Sequence, residues 1–232
     1  MKGLTKNMID AIRYGTESRR WEFKPPFAWN NNQRKRKAEL TRAALALSNI
    51  SNGGFVVIGI FQKRDRTNGI VFERRGLTSR QFASFNSADD IARFFNSKSN
   101  QVIKFEIFGG EVNFEAINKK FVVIQILESR SFIPVVYIKD FKPRERHCRL
   151  VKDTIYIRPI SDPIESRAIS SKEEWEEMIL RLLVHKEEIL HKDLISICRS
   201  ITKKGKIVKL TKKISSQAQN KYDKVLKRDK LK

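Results

Sequence analysis

The run Phe55 to Ile60 contains no polar side chain and follows directly on Asn52-Gly53-Gly54. A strand that is polar on neither face belongs at the centre of a sheet covered on both sides. The chain around it therefore has to supply one layer above and one below. The segment just before it can supply the first: between Arg34 and Ser48, Leu40, Ala43, Ala44 and Leu47 recur at the i, i+3, i+4, i+7 spacing of a helix with one buried stripe. A second apolar run, Phe121 to Leu127, predicts another buried strand. Neither run approaches the ~20 residues needed to span a bilayer. The opening Met1–Asp10 carries Lys2 and Lys6 and no apolar stretch, so a cytoplasmic protein is expected.

Other segments fill in the architecture. Thr5–Tyr14 reads as a short helix with Met8, Ile9 and Ile12 on one side and Gly15 placed to end it. Arg20–Lys24 reads as a strand stopped by Pro25-Pro26, while Phe27–Gln33 and Gln62–Asn68 read as polar loops. Ser87-Ala88-Asp89-Asp90 is a cap with first-turn acids, opening a helix to Asn96. Gly109-Gly110, between Val102–Phe108 and Glu111–Ala116, has the signature of a hairpin turn. Pro134–Ile138 and Thr154–Arg158 predict further strands, and Ser170-Ser171-Lys172-Glu173 predicts a capping box at the head of a long helix. The expected fold is mixed α/β, of α+β type, with one mixed sheet backed by helices. The domain is expected over residues 1–168, packed helices over 169–199 and a basic tail, helical or disordered, over 200–232.

Charge decides what such a fold is for. The formal net charge is +22, and an excess of that size destabilises a compact state by self-repulsion. Arg199 to Lys232 holds 13 basic and 2 acidic residues, a net of +11, and the first 198 residues carry the other +11. The body is thus basic without its tail. Nucleic acid, DNA or RNA, is the expected partner, bound mostly through phosphates; an anionic membrane surface is the alternative polyanion. The cations expected to carry this are Arg19, Arg20 and Lys24, then Arg34, Lys35, Arg36 and Lys37, then Lys63, Arg64 and Arg66, with Lys203, Lys204, Lys206, Lys212 and Lys213 in the tail. Trp29, in a polar loop, is the expected stacking side chain for an unpaired base, whereas Trp21, on a strand, reads as core.

Three segments together resemble one family. They are Gly15-Thr16-Glu17-Ser18 through Glu22-Phe23-Lys24, then Ala46 through Ile60 with its Asn-Gly-Gly and following strand, and finally Val122–Ile126 with Pro134 and Tyr156-Ile157-Arg158. In this order and spacing, over residues 4–168, the chain resembles the Schlafen AlbA-like domain. The resemblance implies a nucleic-acid-binding mixed α/β fold, and also a metal-dependent nuclease, whose site would use Glu17 and Glu22 as catalytic and metal-holding residues with Mg²⁺ or Mn²⁺. At the family's third carboxylate position this chain has Phe61-Gln62, and Asp65, a few residues later, is the nearest substitute. Clustered carboxylates are what such chemistry needs to hold a divalent ion and aim a water.

Other chemistries find little support. No G-x-x-x-x-G-K-[ST] run is present, so an ATP-binding phosphate loop is not expected. Asn52-Gly53-Gly54 follows a helix rather than preceding one, which favours a positive-φ turn over an anion cradle. His147-Cys148 has no second pair at zinc-site spacing, and Cys148 and Cys198 read as ordinary thiols. No cofactor is therefore expected outside the nuclease reading. Three functions remain: nucleic-acid binding, metal-dependent cleavage, and a tail-driven interaction module. A homodimer is compatible with each.

Overall fold

The computed structural model describes residues 1–30, 32–65, 69–115, 117–131, 133–139, 150–159 and 165–186, with backbone alone for Arg64 and Asp65. It falls into two units, Met1–Leu182 and Leu183–Lys232. In the second unit the described residues, 183–186, are helical. Cys148, Cys198, His147, His191, Arg66 and the tail lysines lie outside the described residues.

The first unit is mixed α/β, as expected. Its main sheet has the order β1-β2-β6-β5, built from β1 (Trp21–Lys24), β2 (Gly54–Ile58), β6 (Ile117–Ile126) and β5 (Phe105–Phe114). β1 runs parallel to β2, and the other pairings are antiparallel. Alternation along β2 and β6 sends Val56, Ile58, Val122 and Ile124 to one face and Val57, Phe121 and Val123 to the other, and all seven are fully buried. The layers required above and below β2 are both present.

On the first face lies α2 (Arg34–Ser48), with α4 (Ala88–Asn96) and Phe85 beside it. Burial on α2 extends beyond the expected stripe to Ala38, Leu45 and Ala46. Small alanines let neighbours approach closely, and the Thr41 and Ser48 hydroxyls donate to the carbonyls one turn back, of Lys37 at 2.7 Å and Ala44 at 2.8 Å, so neither hydroxyl is stranded. A small sheet of β7 (Val136–Tyr137), β8 (Thr154–Ile157) and β9 (Arg167–Ala168) packs on α2 through β8. The second face is covered by α1 (Lys6–Tyr14), through Met8 and Ile12, and by the hairpin of β3 (Ile60–Asp65) and β4 (Gly69–Arg74). α3 (Ser79–Ala83) and a fifth helix, α5, over 172–182, complete the unit. Among the described residues no helix is long and apolar enough to cross a membrane.

Three local expectations need correction. The apolar run does not continue as one strand to Ile60: Gly59 adopts φ +121° and turns the chain into β3, so much of the expected loop from Gln62 is strand. Gly109-Gly110 is not a turn. Both lie inside β5, paired with Val122 and Phe121, and the chain reverses after Phe114, with Glu115 at φ +52°. The missing side chain makes room for close approach, since a Cβ on Gly109 would sit 2.9 Å from both the Met1 sulfur and the Phe82 ring and one or both would have to shift. The capping box at α5 is set one residue later than expected: Ser171 accepts from the Glu174 N–H at 3.2 Å, and Glu174 accepts from the Ser170 and Ser171 N–H groups.

Candidate functional site

The three segments that carry the family resemblance meet at the start of β1. Glu22 is 2% exposed and Arg158 is wholly buried, and they form an ion pair across 136 residues of sequence. The Ser166 hydroxyl donates to the same carboxylate oxygen at 2.6 Å, while the Lys24 ammonium lies 2.5 Å from the other. Burial alone would raise the Glu22 pKa, but Lys24 and Arg158, aided by the Lys24 and Ser166 hydrogen bonds, hold it down to about 2. Glu17 stands beside this pair, and its Oε1 accepts from the Phe23 N–H at 2.8 Å. Burial pushes its pKa up, as does the Glu22 charge; the Phe23 hydrogen bond and Lys24 pull the other way and do not win. From the second segment, Asn49 closes α2 with its amide donating to Val135 and Tyr156 carbonyls and accepting from the Val135 N–H.

Glu17 and Glu22 thus come together, but they do not fit a divalent ion in this arrangement. Both oxygens of Glu22 are already occupied by cationic donors, and an incoming ion would face Lys24 and Arg158 at close range. Among the described residues no three His, Cys, Asp or Glu side chains gather closely enough to hold a metal. The Asp65 side chain lies outside the described residues.

The two carboxylates give stability opposite pH dependences. Between about pH 2 and the ordinary value of 4.5, the unfolded chain holds a proton on Glu22 that the folded chain has lost, so stability rises with pH in that window. Above 4.5 the folded chain retains a proton on Glu17 that the unfolded chain has released, so this contribution falls as pH rises. Glu17→Gln keeps the acceptor for Phe23 and removes the penalised charge. It is expected to raise the thermal midpoint at pH 7 and to leave it unchanged at pH 4; a lowered midpoint at pH 7 would show that the ionised carboxylate stabilises the fold.

The expected cations are distributed less coherently than their sequence positions suggest. Lys24 belongs to the Glu22 cluster, Arg19 pairs with Glu177, and Arg36 pairs with Glu39 at 2.7 Å. Lys35 is half-buried. Lys37 is buried, its ammonium 4.5 Å from the Trp29 ring centroid and 5.0 Å from that of Phe94. Arg34 and Lys63 are exposed, but α2 and the β3–β4 hairpin cover opposite faces of the main sheet. Trp29 is no open stacking surface either. It is 8% exposed, its N–H donates to Ser84 Oγ at 2.7 Å, and its ring packs edge-on against Phe94 and Phe95. Three phenylalanines on and before α4 draw this polar-looking loop inward.

A different set of side chains gathers at one end of the sheet, where β1 and β2 begin, β6 ends and β5 starts. Exposed Arg20, Lys104 and Arg130 line a cleft of about 780 Å³ together with Gln101, Ser129 and Ser131. Arg20 donates to the carbonyls of Gly53 (3.3 Å) and Asn52 (3.1 Å) in the turn before β2. That turn has Asn52 at φ +64° and Gly53 at φ +59°, the backbone role expected for it. Among the described residues of the lining Glu128 is the one acid, and it accepts from the Asn52 N–H and lies 3.6 Å from Arg181. Sequence reasoning missed Lys104 and Arg130: Lys104 lies inside the expected strand Val102–Phe108 but immediately precedes β5, and Arg130 follows the apolar run that ends at Leu127. Trp21, read as core, does pack against the second hydrophobic cluster, but at its margin: the ring is half-buried and stacked on Phe55 at 4.4 Å.

No family model and no curated protein matches the chain. Among solved structures, the DIP2311 protein from Corynebacterium diphtheriae is similar at 14% identity and a TM-score of 0.37, over 68% of this chain and 23% of that one. The N-terminal domain of a RecG-related protein from Nitrosomonas europaea is similar at 18% identity and a TM-score of 0.34, over 55% of this chain and 74% of that one. The chain spans about a quarter of the length of the first of these.

Proposed function

We propose that this chain is a nucleic-acid-binding protein of Schlafen AlbA-like type, holding the phosphate backbone at the basic end of its main sheet with its lysine-rich tail as a second contact. The observation that carries the reading is charge that survives folding. Residues 1–182 hold 33 basic and 21 acidic side chains, a net of +12, and three of the exposed cations line one cleft in which Glu128, the one acid among the described lining residues, is already paired. A cleft of that sign concentrates anions and orients a chain of phosphates. The meeting of the three motif segments at Glu22, Arg158 and Asn49 supports the family assignment, with those residues as architecture. Binding without cleavage is the activity proposed, because the carboxylate pair does not accommodate a divalent ion.

The test is binding of the full chain to a labelled oligonucleotide across a salt series. Lys104→Glu combined with Arg130→Glu is expected to weaken binding and reduce the magnitude of the slope of log K against log salt by about 1.4 on a single strand, given ~0.7 for each phosphate that is no longer neutralised. An unchanged slope would remove this end of the sheet from the interface. Absence of binding even at low ionic strength would reject the function itself.

A further inference from the structure

We infer that the sheet row formed by Trp21 on β1, Phe55 on β2 and Gln125 on β6 is a stacking platform for an unpaired base of single-stranded nucleic acid. The inference rests on the nucleic-acid reading and goes beyond its phosphate contacts. Register places the three residues side by side, Trp21 opposite Phe55 and Phe55 opposite Gln125. The next row inward, Phe23, Val57, Val123 and Phe108, is buried among Met8 and Ile12 of α1. The outer row is half-buried and borders an open cleft of about 620 Å³.

The geometry suits a flat partner. The Trp21 and Phe55 rings are stacked 4.4 Å apart with only 17° between their planes, so they continue one another as an aromatic block. The Arg20 guanidinium lies 6.0 Å from the Phe55 centroid and lines both this cleft and the basic one. A strand whose phosphates pass Arg20 towards Lys104 and Arg130 can drop a base into the aromatic cleft. Exposed Asn7 and Asp10 of α1, with Gln125, line the same space. Amide and carboxylate groups at that position match the donors and acceptors on a base edge, which a lipid chain or an aliphatic peptide side chain lacks. A duplex keeps its bases stacked on one another, so the platform favours single strands.

Three ligands separate the outcomes: an oligothymidylate of about 12 nucleotides, the same strand with its central bases replaced by abasic sites, and a duplex of equal length. The full chain is expected to bind the base-bearing strand roughly ten- to a hundredfold more tightly than the abasic one. Trp21→Ala should abolish that preference while leaving affinity for the abasic strand and the duplex as it was; Trp21→Phe, which retains a ring, should keep most of it. Equal binding of base-bearing and abasic strands by the unaltered chain overturns the inference and leaves the phosphate reading standing. Equal loss on every ligand in Trp21→Ala also overturns it, since that result marks damage to the fold. Failure of the unaltered chain to bind any of the three rejects the underlying function together with the platform.

Discussion

Glu22→Gln is expected to lower the unfolding free energy by about 3–5 kcal/mol, the range for removing one partner of a buried ion pair. For a chain of this size that corresponds to roughly 2–4 °C in the thermal midpoint per kcal/mol. The displacement of the Glu22 pKa from 4.5 to about 2 gives a consistent figure of about 3 kcal/mol. The cost arises less from the missing attraction than from what remains: Arg158, with no exposed surface, and the half-buried Lys24 would lose the carboxylate that directly contacts both of them. The double variant Glu22→Leu with Arg158→Met removes both charges and should recover a large part of the loss, as apolar replacements of buried pairs commonly do. Thermal and denaturant unfolding measure both. A residue that merely held a ligand would show little change in the midpoint when neutralised, so an unaffected Glu22→Gln would contradict the structural role assigned to it.

Gly53→Ala is the second large effect, at a site chosen by backbone geometry alone. Gly53 sits at φ +59°, and a Cβ there would lie 2.2 Å from the Ile126 carbonyl oxygen and 2.9 Å from the Glu128 amide nitrogen. Left-handed backbone costs an L-residue about 1–2 kcal/mol, and overpacking against backbone that cannot step aside adds about 1–3 kcal/mol. A loss of about 3 kcal/mol is expected in denaturant unfolding. The same turn carries the two carbonyls that Arg20 holds, so binding should weaken with it. If binding fell while stability stayed constant, the Asn-Gly-Gly turn would be a ligand cradle instead of a conformational requirement.

How much of this was legible in the sequence depended on the range of the physics involved. The run of apolar residues at Phe55, the helix before it and the positive-φ turn between them are local, and each is written within a short stretch of chain. Gly109-Gly110 looked like a turn because tight turns and close packing both ask for a missing side chain; only the positions of Met1 and Phe82 tell them apart. Trp29 looked exposed because its sequence neighbours are polar, yet its environment is set by Phe85, Phe94 and Phe95. Glu22 and Arg158 were both read as motif residues, but nothing local pairs them, and so the carboxylate that resembled a metal ligand emerged as the centre of a charge cluster. The basic end of the sheet was hidden for the same reason. Arg20, Lys104 and Arg130 meet only once β1, β2, β5 and β6 are placed in order.

The contacts around β1 also have a consequence for solution behaviour. Among the described residues β1 is an outer strand paired on one side, and three of the backbone groups on its other side are taken by something other than a strand: Ser18 exchanges hydrogen bonds with the Trp21 N–H and carbonyl, Arg158 donates to the Trp21 carbonyl at 3.2 Å, and Glu17 accepts from the Phe23 N–H. An unsatisfied margin of this kind is a template onto which another polypeptide can add. Here side chains and a tight turn occupy part of that margin, which leaves β1 a poorer template for the edge strand of a second copy than a bare strand would be.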